Sequence, residues 1–118
     1  MSADTVAAKS LREAIALDQR LLAEFVPIIV QISDMVLETF QGGGKLFLMG
    51  NGGSAAEAQH VAAEFVWRFR QIRKGLPAIA LTTDTSVITS IGNDEGYELL
   101  LGFLLERDIG NIPIETKR

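Results

Sequence analysis

The stretch Leu46-Phe47-Leu48-Met49-Gly50-Asn51-Gly52-Gly53-Ser54 decides the fold of this chain, because an apolar run of strand length meets a glycine-rich turn there. The turn opens directly into an alanine-rich helix, which the sequence predicts over residues 54–70. Glycines allow a tight turn and a close approach to a ligand, and the free N–H groups at the start of a helix favour negative charge. The sequence therefore predicts a loop that binds an anion, with phosphate as the expected ligand.

Three polar side chains recur four residues apart along the predicted helix. His60, Glu64 and Arg68 drift by only about 80° around the axis at about 100° per residue, so they share one face. A histidine taken singly is more often a structural residue than a ligand. The alanines around these residues would allow close packing and enclose the polar face. This favours a site in which Glu64 is a carboxylate base or shares a metal ion with His60, and Arg68 binds an anion.

Two helices are predicted before this unit, one from Ala3 to about Glu24 and one from Pro27 to the glycines at residues 42–44. The second is apolar around most of its circumference, which predicts packing against a partner subunit as well as the sheet. The first strand, residues 45–49, is apolar throughout, as in a parallel sheet covered on both faces. The segments predicted downstream are a strand at 78–82, a short helix at 86–90 capped by Thr83, Asp84 or Thr85, a turn at 92–96, an apolar helix at 99–105 and a tail without periodicity from Gly110 to Arg118.

The composition excludes several classes of protein. The 118 residues are 47% hydrophobic, enough for one domain with a core, and contain no cysteine for disulfides, thiolate metal sites or thiol nucleophiles. No apolar run is long enough to span a membrane and no signal peptide is evident, so a cytoplasmic location without membrane contact is expected. A net charge of −4 argues against nucleic-acid binding. The basic residues Arg68, Arg70, Arg73 and Lys74 are interpreted as a solvated helix end.

Two other phosphate-binding motifs fit the loop less well. Residues 50–55 satisfy the dinucleotide fingerprint G-x-G-x-x-A, but no acidic residue follows at the required distance after the second strand. A P-loop is excluded because Lys45 is followed by Leu46 rather than by serine or threonine.

Several separate motifs between about residues 5 and 100 resemble the sugar isomerase domain of phosphoheptose isomerases. The motifs are Gly50-Asn51-Gly52-Gly53-Ser54, the run Gln59-His60-x-x-x-Glu64 with Arg68, the segment from Pro77 to Ser86, and Gly92-Asn93-Asp94-x-Gly96-Tyr97. This resemblance implies an α/β fold of the SIS type, a flavodoxin-like three-layer sandwich with a parallel sheet and two N-terminal helices, of which this chain would carry the N-terminal half. It divides a single domain 1–118 into a helical oligomerisation region at 1–44, a βαβ phosphosugar-binding core at 45–97 and a divergent helix and tail at 98–118.

The resemblance also implies an activity. The family interconverts sedoheptulose 7-phosphate and glycero-manno-heptose 7-phosphate for lipopolysaccharide synthesis, as a homotetramer. By position, Glu64 would be the base that moves a proton between C1 and C2, and His60 and Glu64 would be zinc ligands. The positions that match substrate-binding residues are Asn51, Gly52, Gly53, Ser54, Arg68 and Asp94.

The sequence departs from the family after Tyr97. Family members continue with a second Ser/Thr-rich phosphate loop, further strands and a helix bearing a glutamine and a histidine, whereas His60 is the single histidine here. The sequence therefore predicts a truncated or frameshifted member, or one that closes the sheet edge differently. Three hypotheses follow: an isomerase that is weak or inactive as this short chain and binds zinc weakly; a non-catalytic relative that binds a phosphosugar or a protein such as the replication initiator; and a structural remnant that forms a tetramer or dimer.

Overall fold

The computed structural model describes residues 2–110, which divide into two compact units at the bond between Gln41 and Gly42. The first unit is one long helix. Helix α1, Ala3–Arg20, runs through a π-helical turn at Leu21–Phe25 into helix α2, Val26–Gln41. The backbone stays right-handed helical at both junctions, with φ of −65° at Arg20 and −54° at Val26.

The predicted break before Pro27 is therefore wrong. Proline has no N–H to donate, and its ring clashes with the carbonyl four residues earlier in a regular α-helix. That carbonyl belongs to Ala23, which lies inside the π-helical turn Leu21–Phe25. The wider turn changes the hydrogen-bond spacing at this place, so the proline is accommodated and the helix continues.

The long helix exposes most of its large apolar side chains. None of the residues in α1, the π-helical turn or α2 is buried within the chain. Leu22 is 74% exposed and Met35 is 61% exposed. No helix within residues 2–110 is both long enough and apolar enough to cross a membrane.

The second unit is a βαβ crossover followed by two helices. Its elements are β1 Leu46–Leu48, α3 Gly53–Val66, β2 Ala78–Ala80, α4 Thr85–Asp94 and α5 Tyr97–Ile109. The two strands are parallel, with Phe47 opposite Ile79. This order confirms the predicted parallel sheet with α3 as its crossover helix.

The side chains of the two strands separate two apolar layers. On one face Ala58 and Ala62 of α3 pack against Ala78 and Ala80 of β2. Small residues on both elements let the helix lie close to the sheet. The other layer consists of the fully buried Leu81 and Leu104 with Leu100, and Phe47, Val87, Ile88, Ile91, Leu101 and Leu105 pack around it. The three-layer α/β arrangement expected from the sequence is confirmed.

Coverage of the second face is incomplete. Ile79, the central residue of β2, remains 39% exposed, and Phe47 of β1, which packs on this face, is half-buried. The first strand, expected to be covered on both faces, contacts both apolar layers but is only half-buried.

Several element boundaries also differ from the predictions. Helix α3 ends at Val66 instead of residue 70, and Trp67 leaves it with φ −101° and ψ −90°. Asp84 is the cap of α4, since its Oδ1 accepts a hydrogen bond of 3.2 Å from the Val87 N–H. Helix α4 then continues through Asp94, so the turn expected at 92–96 is confined to Glu95 and Gly96, where φ is 94°. Beyond Gly110, the tail expected to lack periodic structure lies outside the described residues.

Candidate functional site

The glycine-rich loop joins β1 to α3 in the way that its sequence predicts. A Cβ on Gly50 would lie 2.5 Å from Ser54 Cβ and 2.8 Å from the Ser54 carbonyl carbon, so only glycine fits at this approach. Gly52 has a positive φ of 57° and caps α3. The helix begins at Gly53, one residue earlier than predicted, and the Ala55 N–H donates to the Gly52 carbonyl oxygen at 3.1 Å. The first turn of α3 therefore starts directly above the carboxyl end of β1.

A cleft of about 180 Å³ lies beside this loop. Its lining combines the loop with residues that follow β2 and with helix α5: Gly50, Asn51, Gly52, Ala55, Thr82, Ile88, Tyr97, Leu100 and Leu104. Ligands of parallel α/β sheets bind at the carboxyl ends of the strands, and this cleft is at that end of both strands. Of the residues proposed from the sequence to bind substrate, Asn51 and Gly52 line it.

Thr82 and Gln59 were not identified from the sequence, although they fix the position of α3 against the end of β2. Thr82 Oγ1 donates to the Ala55 carbonyl oxygen at 3.3 Å, and Gln59 Nε2 donates to the Thr82 carbonyl oxygen at 3.3 Å. Thr82 is only 8% exposed. The signal available in the sequence was a polar residue directly after a buried strand, which marks the carboxyl edge of a parallel sheet.

His60 and Glu64 form the pair that their spacing predicts. His60 Nε2 lies 3.4 Å from Glu64 Oε1, with one helical turn between the two residues. The side chains differ in exposure, at 77% for His60 and 35% for Glu64. In the single chain the pair is therefore open to solvent, and the enclosed site expected from the surrounding alanines is not formed by this chain alone.

The pair and the glycine loop occupy different faces of α3. His60 and Glu64 line a separate pocket of about 390 Å³ with Val61, Phe65, Phe69 and Arg73. Gln59 and Ala55, which bond to Thr82, lie about 100° and about 140° around the helix from His60, since each residue turns the helix by about 100°. The candidate base, Glu64, and the anion-binding glycine loop therefore belong to one helix and the turn that precedes it, but they do not line the same cleft among the described residues.

Arg68 and Asp94 are placed differently from the sequence hypothesis. Arg68 lies beyond the end of α3, so it does not continue the face of His60 and Glu64, and its guanidinium stacks 5.1 Å from the centre of the Trp67 ring. Asp94 ends α4, where its Oδ1 accepts a hydrogen bond of 2.9 Å from Asn93 Nδ2. Neither residue lines the cleft beside the glycine loop. Their assignment to substrate binding stays a prediction.

His60 and Glu64 supply two protein ligands, which is fewer than a zinc site usually has. Structural and catalytic zinc sites use three or four protein ligands. Among residues 2–110, no group of three or more histidine, cysteine, aspartate or glutamate side chains is close enough to hold a metal ion. One imidazole and one carboxylate from this chain do not complete a zinc site.

The strand, glycine loop and helix are those of a known domain. The SIS domain family matches residues 11–101. The chain belongs to the SIS domain family. The match contains both strands, the glycine loop, the His60–Glu64 pair and the start of α5, so every residue that lines the cleft except Leu104 lies within the matched range.

Curated relatives of this SIS domain confirm the resemblance that the motifs indicate. A phosphoheptose isomerase of Roseiflexus sp. (strain RS-1) is 60% identical over 88 residues, which are 75% of this chain and 45% of that protein. A phosphoheptose isomerase of Trichlorobacter lovleyi is 52% identical over 99 residues, 84% of this chain and 50% of that protein. The chain therefore spans about half the length of the curated relatives it matches.

Solved structures confirm the SIS fold. The phosphoheptose isomerase of Neisseria gonorrhoeae superposes with a TM-score of 0.82 at 36% identity, covering 93% of this chain and 56% of that one. The enzyme of Francisella tularensis gives a TM-score of 0.86 at 29% identity, covering 94% and 58%. The α/β class predicted from the sequence is confirmed, and the fold corresponds to a little over half of each solved chain.

Proposed function

We propose that this SIS domain carries the proton-transferring base and part of the sugar-phosphate site of an aldose–ketose isomerase of the phosphoheptose isomerase type. The observation that supports this most is the His60–Glu64 pair, with 3.4 Å between Nε2 and Oε1, on the helix that the glycine loop opens. The relatives named phosphoheptose isomerase support sugar phosphate as the substrate class. Sedoheptulose 7-phosphate and a role in lipopolysaccharide heptose synthesis are the specific form of this proposal.

The reaction assigns a definite task to Glu64. Interconverting a ketose and an aldose moves one proton between C1 and C2 through an enediol, and a single carboxylate that reaches both carbons can take the proton from one and return it to the other. His60 Nε2, one turn earlier on α3, lies 3.4 Å from the Glu64 carboxylate. The free N–H groups at the start of α3 and the side chains of Asn51 and Ser54 would bind the polar end of the substrate.

Sugar-phosphate binding by the 118-residue chain tests this proposal through the Gly50→Ala variant. The new methyl group would meet the backbone of Ser54 at 2.8 Å, so the first turn of α3 has to move away from β1. We expect weak binding of sedoheptulose 7-phosphate by the natural chain and at least about a tenfold loss in the variant, because the displaced helix start no longer directs its N–H groups at the phosphate. Isothermal calorimetry measures both.

Sedoheptulose without its phosphate is the matched ligand control and should bind at least tenfold more weakly than the phosphate ester, because the anion supplies most of the attraction to the helix start. Equal affinity of the natural chain for both sugars would contradict an anion-binding loop. Unchanged affinity of Gly50→Ala would place the ligand elsewhere.

The exposed helix of residues 3–41 supports a homo-oligomer as part of the proposal. Its apolar side chains, including Leu22 at 74% and Met35 at 61% exposure, form a larger uncovered surface than a soluble monomer usually presents. We expect a dimer or tetramer at micromolar concentration in multi-angle light scattering. The double variant Leu22→Glu, Met35→Glu should shift the protein toward the monomer. A natural chain that is already monodisperse and monomeric would refute the prediction.

Zinc binding is expected to be weak for the same chain. His60 and Glu64 supply two of the three or four ligands that a stable site uses, so zinc should be lost on dialysis against a mild chelator unless subunits combine their ligands. Metal analysis after dialysis checks this, with His60→Ala as the control for nonspecific retention. One zinc ion per chain that survives dialysis and disappears in His60→Ala would show that the site is complete in the assembled protein.

A further inference from the structure

Helix α3 ends in an unusual way, because a side chain nine residues later in the sequence satisfies its final carbonyl groups. Arg73 Nη2 donates to the Glu64 carbonyl oxygen at 3.0 Å, and Arg73 Nη1 donates to the Phe65 carbonyl oxygen at 2.9 Å. The Leu76 N–H also donates to Phe65, at 3.0 Å. These are carbonyls of the last turn, which have no partner within a helix.

The return of the chain fixes Arg73 in this position. Arg73 Nη1 also donates to the Lys74 carbonyl oxygen at 3.0 Å, so the guanidinium joins the helix end to its own segment. Gly75 lies directly against the Val66 carbonyl oxygen, where a Cβ has no room. The cation is therefore placed at the negative end of the helix dipole by both side-chain and backbone contacts.

Glu64 itself belongs to the last turn of α3, which ends at Val66. Last turns fray, and a residue there loses its orientation when the helix end opens. A side chain that holds the Glu64 carbonyl therefore also holds the direction in which its carboxylate leaves the helix. The pocket of about 390 Å³ brings Arg73 together with His60 and Glu64.

We infer that Arg73 is a positioning residue for Glu64: it holds the last turn of α3 closed and thereby keeps the Glu64 carboxylate against His60. The catalytic importance of this role rests on the proposed function, in which Glu64 is the base. The structural role does not rest on it, because the geometry of the pair can be measured without turnover.

The test compares Arg73→Gln and Arg73→Lys with a matched control, Arg70→Gln. Arg70 is a cation in the same segment whose guanidinium stacks 5.1 Å from the Phe69 ring. Amide hydrogen exchange measures the last turn, in particular the Trp67 N–H, which donates to the Ala63 carbonyl oxygen at 3.0 Å. We expect exchange there to become at least about tenfold faster in Arg73→Gln, less so in Arg73→Lys, and to stay unchanged in Arg70→Gln.

NMR signals of the His60 ring measure the pair itself. Glu64→Gln removes the charge facing His60 Nε2 and sets the direction in which the ring signals move when the carboxylate is lost. In Arg73→Gln the signals should move in that same direction, while Arg70→Gln leaves them in place. Unchanged ring signals in a folded Arg73→Gln would overturn the inference, and so would unchanged exchange in the last turn.

In a protein that contains this domain and turns over sugar phosphate, Arg73→Gln should lower kcat by about 10- to 100-fold with little change in KM, because a misplaced base affects the chemical step. If Arg73→Gln does not fold, the same measurements are made on Arg73→Lys. Lysine keeps the positive charge but cannot donate to both carbonyl oxygens in the geometry of the guanidinium group. If NMR confirms the positioning but Glu64→Gln keeps full turnover, the proposed catalytic role of Glu64 fails while the role of Arg73 at the helix end remains.

Discussion

Glu64→Gln is expected to abolish nearly all isomerisation by an active protein that contains this SIS domain, with a loss of about 100- to 10,000-fold in kcat. The amide has almost the shape of the carboxylate but cannot accept a proton from carbon. His60 Nε2, at 3.4 Å from Glu64 Oε1 in the natural chain, would keep a polar neighbour in the amide. Sugar-phosphate affinity should therefore change little while turnover is lost, and steady-state kinetics with calorimetry separates the two.

Glu57→Gln is the matched control for this variant. It removes the same charge from α3 about two turns nearer its start, in the neighbouring groove formed with Ala56, His60 and Val61. We expect its kcat to stay within about threefold of the natural value, as for most surface substitutions away from the chemistry. A kcat of Glu64→Gln equal to that of the natural protein would remove Glu64 from the mechanism. Equal losses of kcat in Glu64→Gln and Glu57→Gln would indicate a general effect of charge on α3.

Joining residues 1–97 to the C-terminal half of a phosphoheptose isomerase should produce a large gain of activity over the 118-residue chain. The reaction needs a base, an acid and a site for the phosphate, and this sequence holds a single histidine, which lies beside the candidate base. Lack of the acid alone typically lowers the rate by about 100- to 10,000-fold. The relative from Roseiflexus, 60% identical over 88 residues, is a suitable source for the second half.

The controls for this fusion are the C-terminal half alone and the fusion with Glu64→Gln, both of which should be inactive in the same assay of sedoheptulose 7-phosphate. Activity of the fusion that depends on Glu64 would assign the base to residues 1–97. Turnover by the 118-residue chain at about one per second, within the ordinary range for enzymes, would contradict the prediction. It would mean that residues 98–118 or a second subunit provide the missing group.

Features set by local spacing could be predicted from the sequence. The interval of four residues between His60 and Glu64 places their side chains on one face of any α-helix, and the structure brings them to 3.4 Å. The glycine at position 50 likewise marks a tight turn, and the structure leaves no room for a Cβ there beside Ser54. The parallel pair β1 and β2 follows from two apolar runs separated by a crossover of the right length.

The end of α3 could not be predicted in this way, and it changes the candidate site. Residues 67–70 continue the helical pattern, so the sequence places Arg68 beside Glu64. In the structure, Arg73 donates to the carbonyl oxygens of Glu64 and Phe65, the Leu76 N–H donates to Phe65 as well, and the chain turns back after Val66. Where a helix ends depends on which distant group reaches its last carbonyls, and Arg68 leaves the shared face for that reason.

What the sequence determined by itself is therefore the pair His60–Glu64, the glycine loop and the order of strand, helix and strand. The tertiary structure alone decided that the loop and the pair lie on different faces of α3, with Thr82 and Gln59 fixing one side of the helix to β2. It also decided that Pro27 lies within a continuous helix. The physical reason is the separation in sequence of the residues that interact. Spacing along a helix or strand depends on neighbouring residues. Helix ends, clefts and the buried faces of helices depend on contacts between residues far apart in sequence.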